Sequence, residues 1–141
     1  MLWLPEHWPW RFERRSEPDL WGTYIVDKEA PAGADSRFGL KLNQEHVLQT
    51  EHVLVSVIPG VSPPRRVIIL SGLTTSGTQG GAEFLTSEPG LRDLLTAIGI
   101  RQNGHLVFPR FFQCVVRVEV AHGLDVISTK YVTGAAFQPK Q

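Results

Sequence analysis

The residues with the most chemistry to offer lie together in Gly72-Leu73-Thr74-Thr75-Ser76-Gly77-Thr78. The hydroxyls of Thr74, Thr75, Ser76 and Thr78 stand between two glycines. The apolar run Val67–Leu70 precedes them, and Ala82 and Leu85 follow at helical spacing. The pattern predicts a turn from a strand into a helix. The first N–H groups of a helix have no partner within it and carry partial positive charge. Such a turn can hold a phosphate, a carboxylate or another small polar metabolite. Gly72, Thr74, Thr75, Ser76, Gly77 and Thr78 are therefore the candidate ligand-binding residues. A packing role for the glycines is the competing explanation.

The finer motifs are incomplete. Gly72-x4-Gly77 matches the front of a P-loop, but Thr78-Gln79 follows where a lysine would meet phosphate. Gly77-x2-Gly80-Gly81 is not the dinucleotide GxGxxG, so no cofactor is implied. A hydroxyl nucleophile at Ser71, Ser76 or Thr78 would need a base and an orienting group. Glu83 and the histidines at 7, 46, 52, 105 and 122 are the available bases, and no GxSxG elbow is present. A small hydrolase or transferase built on this turn is the alternative to simple binding. The histidines are too scattered to predict a metal site. Cys114, the single cysteine, excludes an internal disulfide and reads as an inert core residue.

The turn needs a sheet behind it. Leu20–Asp27 predicts a short strand, and Glu51–Ile58 a clear one. Pro59–Pro64 is too short for a crossover, so Val67–Leu70 should return antiparallel. The continuous apolar character of Val67–Leu70 suits a strand covered on both faces. Ser76 and Gln79 have capping-box spacing, predicting a helix start near Ser76. Ser87 and Pro89 begin a second helix, Leu91, Leu94, Leu95 and Ile98 form its stripe, and Gly99 closes it. In Phe111–Val120, residues Phe112, Cys114, Val116, Val118 and Val120 share one face; Gln113, Arg117 and Glu119 share the other. His122-Gly123 predicts a hairpin turn into Val126–Val132. The expected fold is α/β: a mixed β-sheet with a Rossmann-like strand–helix–helix–strand crossover and a C-terminal antiparallel hairpin.

The chain divides into an irregular Trp/Pro-rich arm (1–19), a single α/β domain (20–134) and a tail (135–141). Trp3, Trp8 and Trp10 either pack on the domain edge or bind a protein partner. With 14 basic and 14 acidic residues in 141, direct nucleic-acid binding is not expected. No apolar run approaches the ~18–20 residues of a membrane span. Met1–Pro18 lacks a secretory pattern, so a cytoplasmic protein is expected.

The segment Val67–Thr86, VIILSGLTTSGTQGGAEFLT, resembles a recurrent pattern in poorly characterised bacterial domains. There a strand ILxxGT is followed by GTxxAxxFLT. EHVLVSVIPG before it, FFQCVVRVEV after it and the arm around Pro9-Trp10 resemble the flanking parts. The pattern belongs to Rossmann-like domains appended to regulatory or DNA-binding modules in soil bacteria. The resemblance implies a non-catalytic ligand-sensing or protein-interaction domain of a regulatory protein. The chain departs from the pattern at Gly81, where Ala is usual. It also lacks the pattern's first strand, Gly/Ser-rich loop and DNA-binding module, which implies an N-terminally truncated copy.

Overall fold

Leu48 to Pro59 is rich in β-branched residues, and this run forms the centre of the fold. The computed structural model describes residues 10–14, 23–27, 37–62, 64–121 and 124–137. In chain order the elements are β1 (Trp10–Arg14), β2 (Thr23–Asp27), β3 (Arg37–Phe38), β4 (Lys41–Leu42) and β5 (Leu48–Pro59). Then come β6 (Arg66–Gly72), α1 (Thr75–Thr86), α2 (Glu88–Ile98), β7 (Ile100–Gln102), β8 (His105–Val107), β9 (Phe111–Val120) and β10 (Val126–Phe137).

The main sheet runs β10-β9-β5, and the other edge of β5 is shared by β4 and β6. A small sheet β1-β2-β3 and a β7-β8 hairpin complete the strands described. Every strand pairing among the described residues is antiparallel.

The period-two alternation of β5 and β9 builds two cores. Val53, Val55, Val57, Phe112, Cys114, Val116 and Val118 pack with Phe84 of α1 and Leu94 of α2. Leu54 and Val115 point to the opposite face and pack with Trp10 and Ile25 of the small sheet. The central strand is thus covered by helices on one side and strands on the other, so residues 51–58 are buried without a break. Gln113 joins the layers. Its Oε1 accepts from the Trp10 backbone N–H at 3.3 Å, and its Nε2 donates to Ser56 Oγ at 3.1 Å. A buried amide paired in this way fixes how the small sheet docks.

The expected Rossmann-like α/β fold is not formed. The helices do connect β6 to β9, but β5 lies between those strands and is antiparallel to both. No parallel neighbours result, and strands dominate the described chain. The role expected of Val67–Leu70 also changes. β6 pairs with β5 alone among the described strands, and its Ile68 is 60% exposed. Its apolar run belongs to an edge, whereas the doubly covered strand is β5.

Other expectations divide similarly. The β9–β10 hairpin and the two faces of β9 form as predicted, and β10 continues through Phe137 into the expected tail. Residues 10–14 of the expected irregular arm form β1, and Trp10 is only 6% exposed. Trp10 is therefore a core residue rather than a surface anchor; Trp3 and Trp8 lie outside the described residues, as does the His122-Gly123 turn. Ser87 caps α2 by accepting from Gly90 N–H at 3.1 Å, with Pro in the first turn. Such a cap contributes about 1 kcal/mol. Among the described residues no helix is long and apolar enough to cross a membrane.

Candidate functional site

The turn after β6 brings Thr74 to the N-cap of α1 in an extended conformation. Its side chain does not cap its own helix. A carboxylate from β5 occupies that end instead. Glu51 shares the strand parity of Val53, Val55 and Val57, so its side chain points toward the helices. It is fully buried. Oε1 accepts from Thr74 N–H at 3.0 Å, and Oε2 accepts from Thr74 Oγ1 in a close contact. A carboxylate at a helix N-terminus is stabilised by the free amides and the helix dipole. α1 has no acid in its own first turn, and Glu51 supplies one from the sheet.

This arrangement dictates the glycines. A Cβ on Gly77 would lie 1.8 Å from Glu51 Oε1. One on Gly80 would lie 2.6 Å from the Val118 methyls. The first absence makes room for the carboxylate; the second lets α1 rest directly on β9.

The predicted ligand residues do gather around the first turn of α1, but most of their polar groups have internal partners. Gly72 N–H donates to Thr78 Oγ1 at 3.2 Å, and Ser76 Oγ donates to the Leu124 carbonyl at 3.1 Å. Ser76 is buried by that contact, while Thr75 stays exposed. The capping box does not form. Gln79 Nε2 donates to Glu83 Oε1 along the exposed helix surface instead.

Thr74, Thr75 and Ser76 form one wall of a cavity of about 340 Å³. Leu40, Leu42, Val47 and Leu48 supply most of the rest, with His46 and Leu124. The lining is largely apolar, with hydroxyls on one side. His46 lines this cavity together with Ser76, and the hydroxyls named for catalysis at Ser76 and Thr78 have other partners. Ser76 and Thr78 are paired with backbone groups, and Glu83 is paired with Gln79. His105 sits exposed on β8, and His7 and His122 lie outside the described residues. No metal-binding group of three or more ligands occurs among the described residues. The Cys114 thiol is buried, which pushes its pKa up to about 12 and keeps it unreactive.

A second polar cluster lies on the other face of the main sheet. His52 is 8% exposed, and its Nδ1 is 2.9 Å from the Gly39 carbonyl. An Nδ1–H donates there, which leaves Nε2 as the acceptor; Nε2 is buried and without a hydrogen-bond partner among the described residues. Burial holds the imidazole below its usual value near 6.5. The Gly39 contact and Glu119 oppose that shift, and Arg117 adds to it.

As pH falls below about 6.5, the unfolded chain takes up this proton before the folded one. The stabilisation is present above that pH and is lost as pH falls through the folded value. We therefore expect the melting temperature to fall between about pH 7 and pH 5.5, and a His52→Gln variant to lose that component. Unchanged pH dependence in the variant would assign the effect to other groups.

Sequence reasoning missed Glu51, and it weighed His52 only as one of five scattered histidines. Both end the polar stretch 49–52 of β5, just before the apolar run 53–55, yet both are buried. The parity of Glu51 with Val53, Val55 and Val57 was the available signal. No family model matches the chain, and no curated protein or solved structure matches it.

Proposed function

We propose that this is a non-catalytic, ligand-binding domain of a bacterial regulatory protein. Its ligand is a small molecule with an apolar body and a neutral or cationic head. The observation that carries this reading is the cavity beside α1, with aliphatic walls facing Thr74, Thr75 and Ser76. Its volume and mixed lining suit a small molecule. The Glu51 carboxylate already accepts from the Thr74 N–H and hydroxyl. An anionic metabolite would meet that charge, whereas an alcohol or amine would not be repelled.

The sensing role follows the resemblance of Val67–Thr86 to domains attached to regulators. The Rossmann-like fold implied by that resemblance is absent, so the resemblance supports the role and not the architecture. A free thiol at Cys114 suits the reducing cytoplasm, where we place the protein.

Hexanol, hexylamine and hexanoate share one apolar body and differ in the head. Titrated into labelled protein, the first two are expected to shift the amides of Leu48, Thr75 and Ser76. Hexanoate should bind at least about tenfold more weakly than hexylamine, a difference of about 1.4 kcal/mol. A Leu48→Trp variant, which fills the cavity, should abolish the response. Equal binding of hexanoate, or shifts confined to other parts of the fold, would remove the basis for this reading.

A further inference from the structure

The cluster around His52 has its own cavity, of about 390 Å³, between the main sheet and the segment leading into β4. Antiparallel register sets His52 opposite Arg117 and Thr50 opposite Glu119. Alternation turns these side chains away from the helices, toward the face where Leu54 and Val115 meet the small sheet. Lys41 and Tyr24 border the same space. Beyond Leu54 and Val115, this face therefore carries four polar or charged side chains at one end.

We propose that this cavity binds a small zwitterion of the α-amino acid type. Both halves of such a ligand have partners in this cavity. Glu119 is held by the Thr50 hydroxyl, which donates to Oε2 at 2.9 Å, so its carboxylate is fixed in place. Glu119 and the unpartnered His52 Nε2 are acceptors suited to an ammonium group. The imidazole is neutral at pH 7 because burial disfavours its charged form, so the Nε2 lone pair is free of a proton, and it meets a donor once the ring turns toward the cavity it lines. Arg117 and Lys41 supply cations for a carboxylate. Among the described residues the Arg117 guanidinium has no hydrogen-bond or ion-pair partner of its own. A simple anion would leave the acceptors unused, and a simple amine would leave the cations unused. The cavity is also large enough for an amino acid.

The test uses the full chain and the standard L-amino acids, each at millimolar concentration, with acetate and methylammonium as single-charge controls. Binding is followed by thermal shift and by the nitrogen resonances of the His52 ring. At least one amino acid is expected to raise the melting temperature and to move the His52 Nε2 signal, while neither control does so. Arg117→Gln and Lys41→Gln both replace exposed side chains, so the fold should survive and can be checked by circular dichroism. Each should weaken binding about tenfold, the effect expected for one lost charge contact. The Leu48→Trp change in the cavity beside α1 should leave it untouched, which separates this proposal from the preceding one. The proposal is overturned if no amino acid moves the His52 signal, if acetate alone moves it equally, or if both glutamine variants bind as the parent does.

Discussion

Replacing Glu51 with alanine is expected to destabilise the fold by about 3 kcal/mol, read as a lowered urea midpoint with an unchanged slope. The carboxylate accepts two hydrogen bonds from Thr74, one from the backbone and one from the hydroxyl. Hydrogen bonds to a charged acceptor contribute about 1.5–3 kcal/mol each, and a buried donor left without a partner adds to the loss. Alanine removes both contacts and the charge facing the end of α1. Glutamine keeps the shape and one acceptor oxygen but no charge, so Glu51→Gln should lose only about 1–2 kcal/mol. An exposed carboxylate would show neither loss. Against a total stability of about 5–15 kcal/mol, the alanine effect is large.

The second large effect belongs to Gly77. A Gly77→Ala change inside an ordinary helix should gain about 1 kcal/mol from propensity. Here the added methyl would overlap Glu51, reaching 1.8 Å from Oε1 and 2.6 Å from Cδ. The carboxylate must leave its site or α1 must lift from the sheet. We expect a net loss of about 3 kcal/mol, the sum of overpacking and disrupted carboxylate contacts outweighing propensity. An alanine at the next, exposed position, Thr78→Ala, should cost well below that, because it removes one hydroxyl at the surface. A Gly77→Ala protein as stable as the parent would show that the carboxylate has another low-energy position.

How much of this was legible in the sequence depends on whether the cause was local. The stripe Leu91, Leu94, Leu95 and Ile98 gave α2, and Ser87 with Pro89 gave its start, because caps and periodicity act within a few residues. The alternation in Phe111–Val120 revealed both faces of β9 for the same reason. The packing role of the glycines was foreseen as an alternative, and Gly80 against Val118 bears it out. Long-range pairing was not legible. A strand–helix–helix–strand order is compatible with adjacent parallel strands or with an intervening antiparallel one, and only the insertion of β5 decides between them. The same limit hid the filling of the α1 N-terminus. The N–H of Thr74, at the N-cap, is met by Glu51, which is 23 residues before it. Ser76 was read as a cap because Gln79 lies three residues on, yet its hydroxyl is bonded to Leu124, 48 residues away.

Gly77 is glycine because Glu51 occupies the space beside it. A double-mutant cycle on Glu51→Ala and Gly77→Ala measures this directly by urea unfolding. In the Glu51→Ala background the methyl no longer meets the carboxylate and only its 3.2 Å approach to Gly72 Cα remains, so Gly77→Ala should cost about 1 kcal/mol or less, giving a coupling energy of about 2–3 kcal/mol. Strictly additive losses, with Gly77→Ala costing as much without the carboxylate as with it, would contradict the claim.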